Sequence, residues 1–337
     1  MPARFTAACF VLCCWCLTGC RNANSQSANP PAPATQAARL AKSQTFTAVC
    51  AKFADPQNLG QVIDPDLAEI SGAAASAHLT DVLWVHNDHD NKGRVYAIDR
   101  KGQRLASYRL KHVPAQDWED IARGPCKAGD SLDKPQCIYV ADTGDNHLDR
   151  STRHILRWHE PQRLPSNTED RTVKVEDDQV EVCPVALPDG TQDIEALIVL
   201  PDSRVIMLSK RKDGTATIYR ATLTPGKTAQ AEMLGALVVH AGPRTQAGDT
   251  RVTAADLHPD GKHLLVRTYS QVLLYDIGLA FGASSAAAAV ALQAAVARAL
   301  PTAPEPHGEA IAWDPAGGYF QLSDSPQPFV WHVACAP

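Results

Sequence analysis

Five oxygen-bearing side chains recur at the head of five similar phrases: Glu69, Glu119, Glu195, Thr253 and Glu309. The phrase is clearest at residues 193–210, where Glu195 opens an alternating apolar stretch, a Pro-Asp-Ser turn follows and a second apolar run rises behind it. Glu309 and Thr253 stand six residues before Pro315 and Pro259, as Glu195 stands before Pro201. If the fold gathers these residues, four carboxylates meet at one place, where they must take protons, bind water or share a cation. Hard oxygen ligands at uneven spacing favour Ca²⁺ over zinc or copper.

A second polar set closes the run behind each turn, and it contains Asp88, Asp142, Asp145, Lys210, Arg211, Arg267 and Asp324. Acids from the first two phrases facing bases from the next two would suit an anionic ligand beside a cation. Turn chemistry accounts equally well for the Asp, Asn, Gly and Ser in these segments. His86 and His89 lack a third ligand in step, so zinc has no support there. Residues 225–228 mimic the end of a phosphate loop, but Ala221 stands where its first glycine is required.

The elements that must position these residues are strands. Each phrase holds two, a third rich in β-branched and aromatic residues follows, and a fourth follows in the first three units. After the fifth unit no fourth strand is left, whereas residues 59–65 supply one just ahead of Glu69. That arrangement predicts an all-β fold, a five-bladed β-propeller closed by an N-terminal strand, at about 56 residues per unit. Six blades would need a further unit between Glu119 and Glu195, and residues 166–179 there are expected to form an extended hairpin instead. The Ala-rich stretch 280–301 predicts one helix, replacing or preceding the fourth strand of blade four.

Composition fits a globular domain, at 45% hydrophobic and 20% charged. A formal charge of −5 without a basic run argues against a nucleic-acid partner, and a monomer is expected. Residues 1–19 read as an export signal, residues 20–45 as a tether too poor in apolar groups to order itself, and residues 46–337 as the propeller. Cys126 and Cys137 bracket one loop and are expected to pair, as are Cys50 and Cys335 if the chain ends meet; Cys183 could replace either partner of the second bridge.

Leu17-Thr18-Gly19-Cys20 resembles the lipobox of bacterial lipoproteins, which implies cleavage before Cys20 and its acylation. With Arg21 next, the resemblance implies an outer-membrane anchor with the domain facing the periplasm. The order Glu, Glu, Glu, Thr, Glu resembles the axial residues of the five-bladed calcium-activated nucleotidases, the apyrases, whose serines and glutamates surround Ca²⁺. Their first and fourth positions carry Ser, so Thr253 matches and Glu69 departs. Phrases such as EISG, WVHND and DWEDIA are similar to those of uncharacterised secreted bacterial propellers, a likeness that implies a fold and no reaction. Two functions follow as expectations: a cation-bearing propeller that binds a ligand or envelope partner at its channel mouth, or a calcium-dependent phosphoester or phosphoanhydride hydrolase.

Overall fold

Alternating apolar residues between Gly- and Asp-rich turns leave this chain few options other than short antiparallel strands. The computed structural model describes residues 47–88, 92–130, 134–166, 172–240 and 249–337. Cys20, the signal segment, the tether and His89 lie outside them.

The chain begins with β1 (Gln57–Gln61) and then lays down β2 (Ile70–Ala75), β3 (Val82–Asn87), β4 (Arg94–Asp99) and β5 (Arg104–Leu110) as blade one. Blade two is β6 (Trp118–Pro125), β7 (Gln136–Asp142), β8 (Arg153–His159) and, after β9 (Thr172–Val175), β10 (Glu181–Ala186). Blade three is β11 (Ile194–Val199), β12 (Val205–Ser209), β13 (Thr215–Ala221) and, after β14 (Ala229–Gln230), β15 (Glu232–Val238). Blade four is β16 (Val252–Leu257), β17 (His263–Thr268) and β18 (Val272–Asp276), followed by helix α1 (Ser285–Ala294) and then β19 (Arg298–Leu300). Blade five is β20 (Gly308–Trp313), β21 (Tyr319–Ser323) and β22 (Phe329–Val333), and β1 completes it by pairing antiparallel with β22. The fold is thus a five-bladed β-propeller closed by its N-terminal strand, and the helix precedes the fourth strand of blade four rather than replacing it.

The stretch 166–179 departs from expectation. Its described part is β9, which leaves blade two and pairs in parallel with β5, followed by a short 3₁₀ turn at Asp177–Gln179. A hairpin would have left the edge of β5 open; the lone strand covers it. In the same way β14, from within blade three, pairs in parallel with β10. Two blades therefore have their outer edges covered by a strand from the blade that follows.

Among the described residues the apolar core divides into five clusters, one at each interface between neighbouring blades. α1 adds Ala288 and Leu292 to the cluster between blades three and four, and Ser284 caps it by accepting from the Ala287 amide. The innermost strands carry small residues, Ala73, Ala74, Ala122, Ala196, Ala254 and Ala310 among them, because five strands must approach one axis. Each of β2, β6, β11, β16 and β20 packs against the next, and β20 packs against β2, which closes the ring. Disulfides join Cys50 to Cys335 and Cys126 to Cys137, and Cys183 is a buried thiol between blades two and three.

Candidate functional site

The inner strands share one irregularity, and it builds the site. Each slips register against its neighbour after its first pair, leaving one residue without a cross-strand partner: Ser71, Glu119, Glu195, Thr253 and Glu309. A bulge of this kind re-aims a side chain, here at the same height in every blade. The first member is Ser71, not Glu69, because β2 starts at Ile70 and its slip falls one residue later.

Glu69 belongs to a second ring, two residues ahead of the first, made of Glu69, Asp117, Asp193, Arg251 and His307. Its equivalence shows in the backbone: the carbonyls of Glu69, Asp117, Asp193 and His307 accept from the amides of Asp88, Thr143, Lys210 and Asp324 at 2.8–3.1 Å. Those donors, with Tyr269, each follow a second strand directly and form a third set at the same mouth. Glu69 itself is exposed.

These rings concentrate carboxyl groups. Oxygens of Asp88, Asp117 and Glu119 lie within 4.8 Å of one another, as do those of Glu119, Asp193 and Glu195, so Glu119 belongs to both triads. Lys210 is set against the second triad, paired with Glu195 and 3.6 Å from Asp193 Oδ2. Glu309 is 8% exposed, and its Oε2 is buried with no hydrogen-bond partner among the described residues. The hydroxyls are used differently: Ser71 donates to the Glu119 carbonyl at 2.6 Å and Thr253 to the Gly308 carbonyl at 2.9 Å, each tying its blade to the next.

Burial, then neighbouring Asp117, push the Asp88 carboxyl up to about 8. Burial also raises Glu195 to about 8 although Lys210 opposes it, and lifts Glu119 and Glu309 well above the carboxylate range, each with Glu195 as the next cause. Burial alone would lower Lys210, but Glu195 and Asp193 hold it above its ordinary value. A folded state that keeps protons on Asp88 and Glu195 up to about pH 8, where the unfolded chain releases them near pH 4, loses stability as pH rises between those limits. Melting of the metal-free protein is therefore expected to fall steadily from about pH 4 to about pH 8. A flat profile in chelator would refute this.

Close packing holds the acids in place. Gly144 is the residue a side chain would ruin, because a Cβ there overlaps Glu119 Oε1 and lies 2.5 Å from Asp117 Oδ2. Asp142 is fully buried behind it, accepting from the amides of Gln116 and Asp117 at 2.9 Å and paired with Arg150 at 2.7 Å. Asp142 thus positions the loop that carries Asp117. Asp145 accepts from the Asp149 and Arg150 amides and pairs with Arg153 at 2.6 Å, and its own amide donates to Asp193 Oδ1 at 2.7 Å.

Of the second polar set, Asp88 and Lys210 therefore meet the acids directly. Asp324 lies near enough to raise both Asp88 and Glu309 electrostatically. Arg211 pairs with Asp213 at 2.6 Å on the surface. Arg267 is fully buried, its guanidinium donating to Gln321 at 2.8 Å and Glu305 at 2.7 Å. Asp117 and Asp193 join the site without having been singled out in sequence, and the recurring Asp-x-Glu of residues 117–119 and 193–195 is the signal that marks them. Tyr269 has Arg251 at 4.7 Å over its ring, His307 at 5.4 Å and Lys210 Nζ 5.9 Å from the ring.

No protein-family model matches the sequence, and no curated protein matches it. Among solved structures, the chain is similar to the PQQ-bound aldose sugar dehydrogenase of Streptomyces coelicolor at 10% identity and a TM-score of 0.41, over 85% of this chain and 100% of that one. It is also similar to the WD40 domain of Neurospora crassa Pan2 at 13% identity and a TM-score of 0.40, over 86% and 97%. Those likenesses concern the fold alone.

Proposed function

We propose that the protein binds a divalent cation, Ca²⁺ by its ligand chemistry, at the acidic mouth of its channel, and there takes an anionic ligand or envelope partner. The observation that carries this reading is the sharing of Glu119 between two carboxyl triads, one of which has Lys210 ion-paired with it. Lys210 serves as a built-in monovalent cation for Asp193 and Glu195. Asp88, Asp117 and Glu119 are then the group for a metal ion, with Glu309 and Asp324 of the neighbouring blade five in electrostatic reach of Asp88. Among the described residues seven carboxyl groups gather here against Lys210 and Arg251, an excess of negative charge that favours a dication over a proton at neutral pH. The lipobox-like sequence supports a lipid-anchored, periplasm-facing setting for this site.

The test is calcium titration of the metal-stripped full chain, followed by melting and by metal analysis. Free Ca²⁺ at a hundredfold excess over its Kd is expected to stabilise the fold by about 2.7 kcal/mol. No bound metal and no shift would sink the proposal.

A calcium-dependent phosphoester or phosphoanhydride hydrolase is the second reading, and the bulge register favours it. With Ser71 in first place the axial order becomes Ser, Glu, Glu, Thr, Glu, which removes the departure from the apyrase pattern at that position. Calcium-dependent release of phosphate from such substrates would distinguish it from binding alone.

A further inference from the structure

Away from the acidic mouth, one further cluster of metal-ligating side chains stands at the far end of blade two. Cys126 follows β6 directly, Cys137 is the second residue of β7 and His159 the last of β8. The ladder sets Cys137 opposite both Gly124 and His159, and Cys126 stands two residues beyond Gly124, so alternation puts all three side chains on one face of the sheet. Their ligand atoms lie within 4.8 Å of one another. Cys126 comes seven residues after Glu119, about 20 Å along the strand at about 3.3 Å per residue, so the cluster is remote from the carboxyl triads.

The two cysteines are joined as a disulfide. That bond adds little to the fold, because β6 and β7 already pair as far as Pro125 and Gln136 beside it, and the ladder itself closes the loop that the cysteines bracket. Reduction would therefore release two sulfurs that three hydrogen-bonded strands still hold in place. His159 is exposed, yet its Nδ1 lies 3.3 Å from Cys126 Sγ and 3.9 Å from Cys137 Sγ, and among the described residues its ring has no other polar partner. A tetrahedral Zn²⁺, bonded at about 2.3 Å to sulfur and about 2.0 Å to nitrogen, sets the nitrogen about 3.6 Å from each sulfur, midway between those two distances. The imidazole thus already stands where a third ligand belongs. Cys126, Cys137 and His159 also line a cavity of about 1010 Å³, which gives a reductant and an ion access to sulfurs that are otherwise buried.

We infer that Cys126, Cys137 and His159 form a redox-gated zinc site: the disulfide cannot coordinate, whereas the dithiol binds Zn²⁺ through two thiolates and the His159 Nδ1, with water in the fourth position. Two sulfurs and an imidazole within tetrahedral reach suit zinc, and not the hard cation of the mouth. The exchange balances with a dithiol reductant. One of its thiolates attacks a sulfur of the bond, its second thiol displaces the mixed disulfide, and the reductant leaves oxidised while Cys126 and Cys137 take up two electrons and two protons. Zn²⁺ then displaces both protons. The site is independent of the cation at the other end of the channel.

Cysteine alkylation in the purified full chain, read residue by residue by mass spectrometry, tests it. After reduction with dithiothreitol and its removal without air, Zn²⁺ is expected to slow alkylation of both Cys126 and Cys137 by about tenfold or more, with the buried Cys183 unaffected. His159→Ala should remove that protection while cooperative melting is retained. Equal alkylation of Cys126 and Cys137 with and without Zn²⁺ overturns the inference, as does protection that persists in His159→Ala. Loss of cooperative melting on reduction overturns it as well, because the site requires the assembled blade. The comparison with and without zinc uses the unaltered protein and decides the matter even if the variant fails to fold.

Discussion

Arg267→Met is expected to lower the unfolding free energy by about 3–5 kcal/mol, the cost of removing one partner of a buried ion pair. Arg267 is fully buried, and its partner Glu305 has a side chain 2% exposed, so the substitution leaves a carboxyl group facing apolar residues with no counter-charge. Glu305 is already raised to about 7 by burial with Arg267 opposing, and without the guanidinium it must carry a proton. The Gln321 side chain loses one of its two donors at the same time, the Ala303 amide remaining, and Gly308, where a Cβ would overlap the guanidinium, is left beside a gap. Adding Glu305→Leu should recover most of the loss, because a pair replaced by apolar groups is close to neutral. Urea denaturation of the two variants checks this, and equal midpoints for wild type and Arg267→Met would show that the pair contributes nothing.

Glu119→Gln is expected to act in opposite directions with and without calcium. It removes the carboxylate common to both triads, so the stabilisation of about 2.7 kcal/mol at a hundredfold excess of cation should disappear. The metal-free protein should meanwhile become more stable above neutral pH, since an amide is neutral without the proton that buried Glu119 must hold among Asp88, Asp117 and Glu195. Melting with calcium and with chelator, across pH, reads both effects. If the variant melts like the wild type under both conditions, Glu119 is neither a ligand nor a source of strain.

Strands and blades were legible in the sequence because alternation and turn residues repeat five times, and the missing last strand announced the closure. The glutamates at 119, 195 and 309 were legible because each, second in its strand, is the acid that opens its phrase. Ser71 was not, because Glu69 lies two residues away with the same alternation, and only the slip of β2 against β3 separates them. Arg267 was misleading for a related reason: its place near the end of β17 resembles that of Lys210 after β12, yet it falls within the strand, where its side chain is enclosed between blades. The lone strand β9 could not be foreseen, since which neighbour a short strand joins depends on an open edge that becomes apparent only when the sheet is assembled.

The bond between Cys50 and Cys335 alters how the ring is made as well as how it is held. In the reduced chain, β1 meets β22 only by closing a loop of about 270 residues, among the costliest entropic steps in assembling the fold. Once the cysteines are joined, the same pairing closes a loop of about a dozen residues, and the logarithmic dependence on length reduces the cost by about 3 kcal/mol. For the oxidised chain the two ends are near neighbours, and the seam of the propeller closes much as an ordinary hairpin does.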